Sequence, residues 1–156
     1  MTATDAFAQS AVAFCTWATS KPANVATEAA HATRLLASLY ARALDLRETP
    51  LGAFGEEQPT KDEWTQVFRR GAALPFDYYS CADPSEVPTD VVMIGDLADD
   101  VADIWADLTA GLRLFGDGRI EEAETKWKSR FDSHWGRHAA DALAALQAWH
   151  QRALST

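Results

Sequence analysis

Between Asn24 and about Leu46 apolar side chains return every three or four residues, at Ala32, Leu35, Leu36, Leu39, Ala43 and Leu46. That spacing keeps one face of a helix towards a core, so the segment predicts an amphipathic α-helix. Glu28 falls on the edge of this face and, once buried, needs a partner. Phe7, Ala11, Phe14 and Ala18 give residues 5–19 the same period, ended by Lys21-Pro22, with Trp17 on the flank of a narrow stripe. Thr49 to Pro59 reads as a loop, because Pro and Gly punctuate it and no periodicity survives. Thr60 and Glu63 then match a capping box, and Trp64, Val67 and Phe68 form the apolar side of a short helix that Gly71 ends.

Residues 72–95 carry no clear period. Leu74-Pro75-Phe76-Asp77-Tyr78-Tyr79 is aromatic, Pro84 and Pro88 follow, and Val91-Val92-Met93-Ile94 closes the stretch. It is expected to be an irregular connector laid over the core within a single helical domain spanning 1–156. Beyond it, winding Asp96 to Phe115 at about 100° per residue gathers Leu97, Val101, Ile104, Trp105, Leu108, Leu112 and Phe115 on one arc. Asp96, Asp100, Asp103 and Asp107 gather on another, with Asp99 just outside it. From Ile120 onward Glu124, Trp127, Phe131, Trp135, His138, Ala142, Ala145 and Trp149 share the core side, while Lys126, Arg130 and Arg137 form a separate basic line.

These two arms, Asp96 to Leu154, predict a long antiparallel hairpin turning between Gly116 and Asp117. Such a turn sets Asp107 opposite Lys126, Asp103 opposite Arg130 and Asp96 opposite Arg137, a charge ladder that selects register. Exposed rungs are worth only about 0–1 kcal/mol each, so the ladder would choose the pairing rather than drive folding. The competing use of aligned carboxylates is a divalent cation, for which Mg or Mn is the candidate and Asp99, Asp103 and His134 the candidate ligands.

Charge sharpens this picture. The net charge is −9, and no Lys or Arg occurs between Arg70 and Arg113, where nine of the 23 acids fall, leaving 14 acids for 14 bases elsewhere. The window therefore carries the whole formal excess, which argues against nucleic acid and anionic membrane and leaves a protein partner possible. Six Trp and seven Phe supply anchors for one core. Cys15 and Cys81 belong to no ligand spacing, no apolar run reaches bilayer length, and Met1 to Asp5 lacks a basic leader, so a cytoplasmic protein is expected, its oligomeric state open.

His134 and His138 lie at i and i+4, able to offer two imidazoles to one metal but outside any HExxH pattern. His138 falls within the core face, where a neutral histidine bonded to a carboxylate such as Glu28, Asp99 or Asp141 is the expectation. Ser133 neighbours His134 without facing it, which gives little support to nucleophilic hydrolysis. Gly136 inside a helix costs about 1 kcal/mol relative to Ala, which implies close approach of a backbone or an aromatic ring.

Asp96-Leu97-Ala98-Asp99-Asp100-Val101-Ala102-Asp103-Ile104-Trp105-Ala106-Asp107-Leu108, with Phe131-Asp132-Ser133-His134-Trp135-Gly136-Arg137-His138-Ala139-Ala140-Asp141-Ala142-Leu143, resembles a bacterial family of small helical proteins classed as a domain of unknown function, DUF5063. Leu74 to Tyr79 fits it more loosely, so the resemblance covers about residues 25–150. Where the family commonly reads Asp-Asp-Leu-Ala-Asp-Ile, this chain has Val101 in place of Leu, and the acids keep their places. The resemblance implies an all-helical fold and assigns no activity.

The expected architecture is all-α, a single bundle of about five helices with the hairpin packed on the first two. The expected function is that of a non-catalytic interaction or accessory protein with no cofactor, using the acidic region 77–107 or the contact residues Phe76, Tyr78, Tyr79 and Trp135. The alternative is a divalent-metal-dependent phosphohydrolase built on Asp96, Asp99, Asp100 and Asp103 with His134 and His138 near.

Overall fold

A computed structural model describes residues 1–48 and 58–156, so most of the expected Thr49–Pro59 loop lies outside the described residues. Helix α1 spans Ala3–Thr19, α2 Val25–Ala43 and α3 Lys61–Arg70. Local chemistry sets their starts. Thr2 and Asp5 form a capping box on α1, Asn24 accepts from Thr27 N on α2, and Thr60 with Glu63 caps α3 as the sequence predicts. Glu28 is buried and partnered: Trp17 Nε1 donates to Oε2 at 2.9 Å, Ala23 N–H to Oε1 at 2.8 Å, and Arg70 Nη1 makes an ion pair at 2.7 Å.

Residues 72–95 are more ordered than expected. After a 3-10 turn at Gly71–Ala73, strands β1 (Tyr78–Cys81) and β2 (Met93–Asp96) pair antiparallel, with Tyr78 opposite Asp96 and Cys81 opposite Met93. The bundle is therefore helical with a small two-stranded sheet. Four-residue strands are too short for alternation to stand out against the surrounding Pro and Gly signals. Leu97 N–H bonds Asp77 O at 2.9 Å, so the hairpin is tied to the start of the next helix.

Helix α4 (Leu97–Gly116) buries Leu97, Val101, Ile104, Leu108 and Leu114 at the centre of the core. It ends later than predicted. Gly116 stays helical and Gly118 takes φ +78°, while Arg119 N–H bonds Leu114 O and Gly118 N–H bonds Phe115 O, the paired bonds of a glycine-terminated helix. Moving the turn towards Gly118 slides two of the three predicted rungs by one helical turn and dissolves the third. Asp107 meets Arg130 rather than Lys126, and Asp103 meets His134 rather than Arg130. Asp96 caps α4 by accepting from Ala98 N and Asp99 N, and Arg137 pairs with Asp141 instead.

The return arm is not one helix. It comprises α5 (Ile120–Arg130), a π turn (Phe131–Trp135) and α6 (Gly136–Leu154). Helix α5 lies along α4, and α6 also packs on α2. Gly136 permits the π turn: its N–H bonds Phe131 O, and an added Cβ would lie 2.5 Å from that oxygen and 2.9 Å from the Phe131 ring. Trp127 fills the core beside Gly111, where a Cβ would collide with the indole, and its Nε1 donates to Leu108 O at 3.2 Å. Phe7 packs on Trp127 with ring centroids 4.9 Å apart. Side chains of this size contribute roughly 1.5–3 kcal/mol each on full burial, so packing outweighs any surface rung.

Candidate functional site

The acidic side of α4, the π turn and the first turn of α6 meet in one cluster. His134 Nδ1 lies 2.7 Å from Asp107 Oδ2, and His138 Nδ1 lies 2.6 Å from Asp100 Oδ1. Asp100 and Asp107 are buried, whereas Asp103, His134 and His138 are half-buried. The far side of each ring points to one place: His134 Nε2 is 3.6 Å and His138 Nε2 3.7 Å from the same Asp103 Oδ2. The rings meet edge to face with centroids 4.8 Å apart.

Each of these three side chains is itself held. Trp64 Nε1 of α3 donates to Asp103 Oδ1 at 2.8 Å, which leaves Oδ2 to face the imidazoles. Arg130 Nε donates to Asp107 Oδ1 at 3.0 Å, behind His134. Tyr79 OH of β1 donates to Asp100 Oδ2, behind His138. Arg130 Nη2 also approaches His134 Nδ1 at 2.8 Å, but one ring nitrogen cannot both donate to Asp107 and accept from Arg130. The buried carboxylate is the stronger partner, so Nδ1 donates to Asp107.

Electrostatics follow from these contacts. Its bond to Asp100 holds the His138 imidazole above the usual histidine range, against the opposing effect of burial. Burial first, and then Asp103, Asp96 and Asp100, raises the Asp99 carboxyl. Burial and the bond to Asp100 raise the Tyr79 phenol, which stays a donor.

Asp103, His134 and His138 offer ligand atoms that all lie within 4.8 Å of one another. Ligand atoms around one zinc, with bonds of ~2.0–2.1 Å, stand ~3.4 Å apart, so the set closes with shifts of about 1 Å. Imidazoles whose Nδ1 atoms bond carboxylates are the usual form of metal-bound histidines, since that bond fixes tautomer and ring angle. The 3.6–3.7 Å from each Nε2 to Asp103 Oδ2 exceeds a hydrogen bond, so no direct bond closes the space between them.

The sequence names these residues but groups them differently. Asp99, paired there with Asp103 and His134, lies outside the convergent set, and His138 takes its place. Asp100, not Glu28, Asp99 or Asp141, is the partner of His138. Asp96 serves as a helix cap. Trp135 cannot be a contact residue: it is 0% exposed and donates Nε1 to Trp127 O. Phe76 and Tyr79 are half-buried against the core, and Tyr78 is 67% exposed. Tyr79 and Trp64, the donors behind Asp100 and Asp103, carry no signal in the pattern beyond being aromatic.

The family model for the domain of unknown function DUF5063 matches residues 2–152. The chain belongs to the DUF5063 family. This DUF5063 protein is also similar in structure to protein BF1032 from Bacteroides fragilis, with a TM-score of 0.74 at 19% identity, over 92% of this chain and 89% of that one. At that identity the likeness concerns the fold alone. No curated protein matches this DUF5063 chain.

Proposed function

We propose that this DUF5063 domain is a divalent-metal protein whose centre, ligated by Asp103, His134 and His138, activates water for hydrolysis. The observation that carries the reading is the convergence of two Nε2 atoms on one Asp103 oxygen while every ligand is oriented from behind, by Asp107, Asp100 and Trp64. Three protein ligands leave positions open for water, the pattern of catalytic rather than structural sites. Two imidazoles with one carboxylate suit zinc, iron or manganese, and they suit magnesium poorly, since it asks for oxygen donors.

The accessory-protein reading keeps one observation in its favour: Tyr78, Val91, Val92, Met93 and Ile94 are exposed in and just before the two strands. It ranks second because none of these side chains carries chemistry that names a partner.

Chelator-treated protein titrated with zinc, manganese and magnesium tests the first reading. Zinc or manganese is expected to raise Tm by mass action, and Asp103→Ala and His138→Ala to abolish the rise. An unchanged Tm at millimolar metal would overturn it.

A further inference from the structure

Asp103 and His134 of the centre lie in the wall of a cleft of about 440 Å³, lined also by Lys61, Trp64 and Arg130 among others. The acidic window of the sequence contains no Lys or Arg, yet the fold brings one cation from α3 and one from α5 to its most acidic face. Asp103 and Asp107 line this cleft beside the two cations, Asp107 almost wholly buried, while Asp100 lies behind His138.

Arg130 makes the argument specific. Its Nε is committed to Asp107 Oδ1, and its Nη2 points at His134 Nδ1. Once His134 offers Nε2 to a metal, Nδ1 carries a proton and cannot accept from Arg130. That guanidinium donor is then left without an acceptor at His134, on a side chain that is 33% exposed and lines the cleft. Such a donor asks for an anionic oxygen, and a fork-shaped donor, a second cation and a metal together match an oxyanion with several oxygens.

We infer that the open face of this centre binds a phosphoryl group, as free phosphate or as a small phosphomonoester, with metal, Arg130 and Lys61 each taking an oxygen. The inference rests on the metal-centre reading. A carboxylate offers two oxygens and fills this arrangement less completely, which makes acetate the natural control.

The test uses the full chain loaded with cobalt(II), whose visible absorption reports its ligands. Inorganic phosphate and phenyl phosphate are titrated in separate arms, with acetate in a third. The expected result is a saturable band shift with phosphate, phenyl phosphate or both, the two arms separating free phosphate from ester, and no equal effect of acetate. Lys61→Gln, an exposed change at the start of α3, should weaken the phosphate-induced shift about threefold while leaving the cobalt band itself intact. If cobalt binds but millimolar phosphate leaves the band unchanged, or acetate acts as strongly, the phosphoryl inference is overturned and the metal centre stands. If Lys61→Gln binds phosphate as tightly as the parent, the assignment of Lys61 to this site is overturned. If no cobalt band appears, both readings fall.

Discussion

Glu28 and Asp100 are both carboxylates taken out of water on the inner side of a helix, and their surroundings treat them in opposite ways. Around Glu28 every contact closes on the carboxylate: the Ala23 N–H, the Trp17 indole and Arg70, whose guanidinium also lies 4.6 Å over the Trp17 ring. Burial alone would push this carboxyl up, yet those donors together hold it below the usual range. The cluster joins α1, α2 and α3, and Arg70 Nε also donates to Ser20 O at 3.2 Å. Around Asp100 the chain of contacts runs through: Tyr79 donates to the carboxylate, the carboxylate receives His138, and the other ring nitrogen of His138 faces Asp103. A charge cluster that closes on itself is read as a tie. One that turns a ring nitrogen towards a point shared with two other side chains is read as a site.

The largest expected effect tests the tie. Arg70→Met leaves Glu28 buried and unpaired and should cost about 3–5 kcal/mol in urea unfolding, while Glu28→Gln combined with Arg70→Met should recover much of that loss. A cost below about 1 kcal/mol would mean that Arg70 is not what holds α3 to α2. Next comes the site. In Asp103→Ala the metal-dependent stabilisation, about 2.7 kcal/mol at a hundredfold excess of metal over Kd, should vanish. Stability without metal should change much less, because Asp103 is half-buried and lies outside the closed tie. Equal losses with and without metal would erase the distinction between the two clusters.

Gly136→Ala is expected to cost about 1–3 kcal/mol by forcing Phe131 aside, and to reduce metal affinity along with stability, because the π turn carries His134. Calorimetry of the variant with and without zinc reads both. The smallest effect is set by pH. The Glu28 carboxyl is lower in the folded state than in the unfolded one, so its contribution is fully present above about pH 4.5 and is lost as pH falls through the folded value. Acid unfolding of the parent should therefore be steeper below about pH 4.5 than that of Glu28→Gln, measured by far-UV dichroism.

Helix starts were legible because Thr60 with Glu63, and Asn24 before the α2 stripe, are local chemistry. The apolar faces of α1, α2 and α4 were legible because periodicity reports burial directly. The turn was not: Gly118 rather than Gly116 takes the left-handed conformation, and the difference moves the facing register by a full turn. That displacement is why Asp103 was matched to Arg130 when its neighbours are the two histidines. The β1–β2 hairpin was hidden by its short strands, and Tyr79 and Trp64 by the distance along the chain to the carboxylates they hold. The residues of the site could be named from sequence, but their grouping needed the third dimension.

The π turn has a consequence for length as well as for shape. Ala123, Trp127, Phe131, Trp135 and Ala139 are all buried, and each is four residues from the next. On an uninterrupted helix every step of four overshoots a full circle by about 40°, so such a line would wander off the core within three steps. The wider turn takes up about 100° of the accumulated overshoot as one extra residue and holds the line near the core. A strict run of fours is thus spelled into the sequence as an instruction for where the helix must widen. Were the turn to close as ordinary α-helix with all its residues kept, every later side chain, His138 first among them, would swing by about 100° away from the carboxylates of α4.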